Sequence, residues 1–377
     1  MLASFGIAAT TGSRRAAAAG QDSVNEAIDL ISDRYGDRVD PEILWRAATA
    51  GVAAGLDAQL GVNGSAVLTD TQYAQAQRWF AGERQGIGVE FSIAAGQGLR
   101  ITDVFAEGPA ARVGVETDDL VVAMDGHPFV GQPVQVIHAI VAQATGPEVV
   151  LEVRRRAERL RRLEVQRGPY DISDVKPQHA EADVPVLRIP FFGTGTARSL
   201  AKALRDTPDG SHAVVLDLRD NTGGQIDEAV SAAEIFLDPG AVILQQEGPD
   251  GQRTQRAAED ARTYQGDVVM LVNQGTRGAA EAFAAALRGH GVARLVGTRT
   301  GGDDAVPAYH PLGNDLVLQI PESSLLDPSG RSWRRAGLDP DVVVEPIQSS
   351  LPPAAGTPPP DLQRDAAQQL ARPERGD

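Results

Sequence analysis

Leu216-Asp217-Leu218-Arg219-Asp220-Asn221-Thr222-Gly223-Gly224 closes the apolar run Ala213–Leu218 with a polar, glycine-rich turn. The run has the length of one buried strand, and an amphipathic helical pattern follows it at Asp227–Phe236. Strand, turn and helix in this order make one repeat of a layered α/β core. The glycines of Asp220–Gly224 free backbone N–H groups at the strand end. Taken alone, the stretch reads as a structural strand–helix turn. Outward from this stretch, Val186–Pro190, Val268–Val272, Ala293–Gly297 and Leu316–Ile320 are strand-like. Thr196–Arg205 and Ala279–Arg288 are helix-like, so residues 184–346 are predicted to form one α/β core.

Residues 85–167 read differently, as short strands punctuated by glycine. Val89–Ile93, Leu99–Val104, Leu120–Met124, Val149–Arg154 and Leu160–Gln166 are the predicted strands, with a helix at Val134–Gln143. In Gly86-Ile87-Gly88-Val89, small residues let backbone N–H groups converge on a terminal carboxylate beside a strand edge. The alternative is a plain glycine turn, and the partner motif Gly108-Pro109-Ala110-Ala111 favours peptide binding. Arg154, Arg155, Arg156, Arg159, Arg161 and Arg162 cluster at a turn with Glu158 among them, which reads as a solvated hairpin tip. Upstream, residues 23–82 carry helical patterns at Ser23–Tyr35, Pro41–Leu60 and Thr71–Phe80. Asp40 before Pro41 marks a firm helix start. Residues 168–183 read as a polar linker, and residues 347–377 as a Pro-rich tail with a short helix at Asp361–Leu370. Residues 1–22 read as disordered or as a vestigial signal, because Arg14 and Arg15 follow the apolar run Leu2–Thr10 instead of preceding it.

The chain has 377 residues, 42% hydrophobic and 23% charged, too long for one compact core. Its formal net charge of -16 repels a phosphate backbone and argues against nucleic acid as a partner. No apolar run approaches the ~20 residues that span a bilayer. Cysteine is absent, which excludes disulfides, thiolate metal sites and cysteine nucleophiles. His127, His138, His179, His212, His290 and His310 show no metal-ligand spacing, and no metal or other cofactor is expected.

Together these segments resemble the C-terminal-processing (tail-specific) serine peptidases. The likeness rests on the helical lead-in Ala27–Leu60, on Gly86–Val89 with Gly108–Ala111 and Asp118–Gly126, and on Leu216–Gly224. Asp327-Pro328-Ser329-Gly330-Arg331 and Gly337-Leu338-Asp339-Pro340-Asp341 support it further on. The resemblance implies an α/β (α+β multidomain) chain: a helical N-terminal segment, a PDZ-like domain and a core of the ClpP/crotonase-like kind. It also implies a place in the periplasm or cell envelope. Gly223, Gly224 and Ala279 fall where the family's oxyanion donors lie, and Gly86, Ile87, Gly88 and Val89 where its PDZ domain takes a peptide end.

The family's nucleophile turn, Gly-Ser-Ala-Ser-Ala-Ser-Glu, reads here Gly275-Thr276-Arg277-Gly278-Ala279-Ala280-Glu281, which puts Gly278 at the attacking serine. Its base loop, Gly-Glu-Lys-Thr-Phe-Gly-Lys-Gly, reads Gly297-Thr298-Arg299-Thr300-Gly301-Gly302-Asp303-Asp304, which puts Asp303 at the lysine and Pro307 at the helper glutamine. Lys176 and Lys202 are the chain's lysines, and both precede these loops. The expected protein is a catalytically inactive homologue that binds polypeptide C-termini or unfolded protein, with an active peptidase homologue as a further partner. A hydrolase with relocated residues, Thr276 being the nearest hydroxyl, and a carrier of small apolar ligands are the alternatives. Arg277 and Asp303 are candidates for an ion pair across the former site.

Overall fold

The computed structural model describes residues 5–35, 39–60, 64–94, 97–105, 107–155, 159–178, 184–207, 212–346 and 360–372. The chain forms two compact units, residues 1–73 with 307–322, and residues 74–306 with 323–377.

The first unit opens with α1 (Phe5–Arg34) and α2 (Pro41–Leu60). The first helix starts at Phe5, within the 1–22 stretch read as disordered or as a signal, and the alanine run Ala16–Ala19 favours helix. Asp40 accepts the Glu42 N–H at 3.0 Å, the cap read from Asp40-Pro41. Strand β1 (Ala66–Thr69) pairs antiparallel with residues 316–319, and the Tyr73 and Tyr309 rings lie 5.0 Å apart. Helix α3 (Asp70–Phe80) begins in this unit and ends in the second.

In the second unit, β2 (Glu83–Gly86) leads into an antiparallel sheet built from β3 (Val89–Ala94), β4 (Gly98–Val104), β5 (Leu120–Met124), β7 (Glu148–Arg154) and β8 (Arg161–Gln166), in that spatial order. The short β6 (His127–Pro128) pairs with β5, and α4 (Pro109–Arg112) and α5 (Val134–Gln143) complete the domain. Its core is Leu99, Ile101, Phe129, Ile137, Leu151 and Val165. The predicted linker is instead partly structured. β9 (Gly168–Asp171) pairs with β2, and β10 (Lys176–Gln178) joins the core sheet, while residues 179–183 lie outside the described residues. Arg155 is no solvated tip: it binds the fully buried Asp119 at 2.7 Å and Glu116 at 2.6 Å, because a buried carboxylate demands a cation. Arg156 and Glu158 lie outside the described residues.

The core sheet runs β10, β11 (Val186–Arg188), β12 (Ala213–Asp217), β15 (Asp267–Val272), β16 (Ala293–Gly297), β19 (Val342–Val343), and all but β10 are parallel. Strand β12 is buried at every residue, as a parallel strand covered on both faces must be. Helices α6 (Thr196–Arg205), α7 (Ile226–Glu234) and α8 (Ala279–Gly289) pack with Val214, Leu216, Met270 and Val272 on one face. On the other, α9 (Leu362–Ala371) lays Ala367 and Ala371 against Val186, Val215, Val269 and Leu271. Two strands absent from the sequence reading, β13 (Val242–Glu247) and β14 (Arg253–Ala257), form an antiparallel pair beside this core. Strands β17 (Ala305–Leu312) and β18 (Leu316–Leu326) follow, the latter longer than predicted, with residues 324–326 pairing with β13.

Candidate functional site

Strand β15 hands the chain to α8 through Asn273–Gly278, and the turn ends at Gly278 with φ 55 and ψ -120. This is the backbone of a sharp strand-to-helix elbow, a conformation that strains any residue with a side chain. A Cβ at Gly278 would meet nothing nearer than the Gly223 Cα at 3.8 Å, so space for a side chain exists there. Thr276 is fully buried; its Oγ1 donates to the Leu218 carbonyl at 2.8 Å and accepts the Asn273 N–H at 3.0 Å. The single Thr276 proton is thus committed to the Leu218 carbonyl, and one of its two lone pairs to Asn273.

The strand-end turn after β12 packs directly against this elbow. Asn221 is buried: its side chain donates to the Ile189 carbonyl and accepts the Gly223 N–H at 2.9 Å, while its carbonyl accepts the Arg277 N–H at 2.9 Å. Asn273 brackets Asp220 with two further bonds, at 2.9 and 3.0 Å. Gly224, at φ 120, is irreplaceable on space as well, since a Cβ would lie 2.3 Å from the Phe192 carbonyl oxygen. Of the three predicted donors, Gly223 is engaged by Asn221. Among the described residues no acceptor meets the N–H of Gly224 or of Ala279.

One residue that the sequence reading did not single out as a site joins both loops. Glu281 is fully buried and accepts from the Gly302 and Asp303 N–H groups at 2.8 Å, from Gly278 N–H at 3.2 Å, and from the Thr300 hydroxyl. Burial pushes its carboxyl pKa up, and the four hydrogen bonds only partly counter this. Its place as third residue of α8, reaching back to the residue before the helix, is half of a capping box and was the available signal. Asp303 therefore enters the loop through its backbone, and its side chain is exposed. The candidate Arg277–Asp303 ion pair is not found among the described residues: the Arg277 side chain lies across Gly301 from Cγ to Cζ, both residues are exposed, and Glu281 does the holding. Pro307 sits half-buried on β17 in the first unit.

No base stands by the elbow among the lysines and histidines described. The Lys176 ammonium binds Asp103 at 2.9 Å and lies 3.8 Å over the Phe105 ring, and Lys202 pairs with Asp206. His290 binds the Val242 carbonyl, and His310 pairs with Glu322 in the first unit.

The second candidate site lies at Gly86–Val89. Gly88, at φ 75, and Gly108 approach so closely that a Cβ on Gly88 would sit 3.3 Å from the Gly108 Cα and from Tyr170 Cγ. The carbonyls of Ile87 and Gly88 are taken by Ala110 and Phe105 N–H groups, while their own N–H groups meet no acceptor among the described residues. Beneath them is a cavity of about 230 Å³ lined by Ile87, Val89, Phe91, Val141 and Tyr170, with Arg167 beside it. Strand β3 is the edge of its sheet, open to a further strand. Glu90, on its other face, binds Arg188 of the core at 2.8 Å; burial raises the Glu90 pKa even so.

Residues 183–344 match peptidase family S41 and residues 100–155 match a PDZ domain. The chain belongs to the C-terminal-processing peptidase family. A probable CtpA-like serine protease of Staphylococcus haemolyticus is 30% identical over 267 residues, which cover 70% of this chain and 53% of that protein. Its counterpart in Staphylococcus saprophyticus is 28% identical over 332 residues, 87% of this chain and 66% of that protein. The chain thus spans between half and two thirds of the length of these relatives. A photosystem II D1 C-terminal processing protease shares the fold, with a TM-score of 0.52 at 21% identity over 84% of this chain and 86% of that one. In this member of the family the peptidase match takes in both turns, Glu281 and the 300–303 loop, but ends before α9. The PDZ match starts beyond the Gly86–Val89 loop. No helix among the described residues is long and apolar enough to cross a membrane.

Proposed function

We propose that this member of the C-terminal-processing family binds polypeptide C-termini through its PDZ domain and does not cleave them. The observation that carries the reading is Gly278: the elbow has the backbone of a nucleophile turn and no side chain to attack with. Counted without a gap from Gly275 to Arg331, the family pattern supports reading Gly278, Asp303 and Pro307 as the serine, lysine and glutamine positions. Loss of a serine nucleophile alone lowers turnover by roughly a million-fold. Thr276, the nearest hydroxyl, is buried and doubly bonded, which speaks against a relocated nucleophile. The free N–H groups of Ile87 and Gly88 above an apolar cavity support recognition of a terminal carboxylate followed by an apolar last side chain.

The test has two arms. Purified protein is incubated with casein and with a serine-directed fluorophosphonate probe; no cleavage and no labelling are expected. Labelling that vanishes in Thr276→Ala overturns the inactive reading. Fluorescence anisotropy then compares an apolar-tailed peptide with its C-terminal amide, and the free acid is expected to bind the more tightly. Equal binding of both removes carboxylate recognition.

A further inference from the structure

Helix α9 lies beyond the peptidase match, yet its cap residue is bonded to the strand-end signature. The Arg219 guanidinium is held by two carboxylates at once. Asp217 takes Nε at 2.9 Å and Nη2 at 2.6 Å; Asp361 takes Nη1 at 2.9 Å and Nη2 at 2.8 Å. Gln363 adds a bond from Arg219 at 3.2 Å. Burial alone would lower the basicity of Arg219, but the bonds to Asp217 and Asp361 outweigh it and raise it.

The same Asp361 carboxylate caps α9 by accepting the Arg364 N–H at 3.0 Å. The start of the helix and the grip on Arg219 therefore depend on one side chain. A ten-residue helix is marginal by itself in water, so α9 owes its existence to docking. Its hold on the sheet is modest in apolar terms: the residues it buries, Ala367 and Ala371, are small, and its one large apolar contact there, Leu370, is only partly buried. Polar ties complete it: Gln363 to the Val344 carbonyl, Gln368 to the Val184 carbonyl, and Arg294 to the Leu370 carbonyl. An element with few large apolar contacts belongs to the low-stability end of a fold.

We propose that α9 is an order–disorder strap that, when docked and helical, fixes the Arg219–Gly224 turn through Asp361. Release of α9 frees Arg219 on one side and unlocks the turn. The effect reaches the elbow, because Leu218 and Asn221 accept bonds from Thr276 and Arg277, and Asp220 is bracketed by Asn273. Asp361 is thus a positioning residue for both turns. The inference holds whether or not the PDZ domain binds peptides.

Native-state hydrogen exchange on the full chain at rising urea tests it. In the wild type, the amides of 362–371 and those of Asp220, Asn221, Gly223 and Arg277 are expected to share one opening, with the same denaturant slope. If the turn keeps its protection at urea concentrations where α9 has lost its own, the proposal falls. Asp361→Asn keeps a good cap and removes the charge. It is expected to speed exchange at 219–225 and 273–278 by about tenfold, with strand β4 unchanged. Faster exchange confined to 362–371 makes α9 a passive cover and overturns the strap. Should that variant fail to fold, the wild-type comparison decides alone.

Discussion

Gly278 separates two quantities that usually change together, room for a side chain and a backbone that tolerates one. With its nearest neighbour 3.8 Å away, a serine Cβ fits, but φ 55 strains it. Gly278→Ser is therefore expected to lower the unfolding free energy by about 1–3 kcal/mol and to restore no turnover. Urea denaturation reads the first, and a casein assay the second. Glu281 gives a different signature. A carboxyl whose pKa is higher folded than unfolded stabilises most below its ordinary value of 4.5, and that contribution is lost as pH rises through the folded value. The stability difference between wild type and Glu281→Gln should accordingly shift against the wild type from pH 4 upward, measured by denaturation at a series of pH values. Of these two residues the sequence singled out Gly278, because its place in the turn can be counted against a family pattern. Glu281 went unnoticed because a helix-cap glutamate looks alike whether it faces water or four protein donors.

Elements were legible where their own residues carry the signal. Asp40-Pro41 announces α2, and the unbroken apolar runs of β12 and β15 announce buried parallel strands. Strands β9 and β10 were invisible, since Gly168-Pro169-Tyr170-Asp171 and Lys176-Pro177-Gln178 are poor strand formers held by their partners β2 and β11. Helix α9 was readable as a helix but its docking was not, because two alanines and an aspartate acquire meaning only against the sheet face they meet. At the same scale, the Gly86–Val89 loop depends on the contact between Gly88 and Gly108. Gly88→Ala puts a methyl 3.3 Å from both Gly108 and Tyr170 at φ 75. It is expected to cost about 1–3 kcal/mol and to abolish peptide binding by anisotropy, with the core's hydrogen-exchange protection unchanged.

For the whole molecule, a net charge of -16 means that folding gathers repelling carboxylates, while the ion pairs that matter, Arg155–Asp119 and Arg219–Asp217, are sheltered from solvent. Salt screens the first more than the second. Raising ionic strength from about 0.01 M to about 0.15 M shortens the Debye length from ~30 to ~8 Å and is expected to raise Tm. A fall in Tm would show that exposed pairs outweigh the repulsion; differential scanning fluorimetry distinguishes the two. One further property of the molecule follows from the β2–β9 ribbon. The chain enters the PDZ domain at Gly86 and leaves it at Gly168, and these two residues face each other in the ladder. The whole excursion from 87 to 167 thus starts and finishes at one rung, as an insertion whose ends are already joined. Such a segment can collapse on its own short-range contacts without waiting for the core, whose neighbouring strands lie far apart in sequence. During synthesis the PDZ domain would then be complete while the chain that forms most of the core sheet is still emerging, and the order of assembly is written into a single pair of glycines.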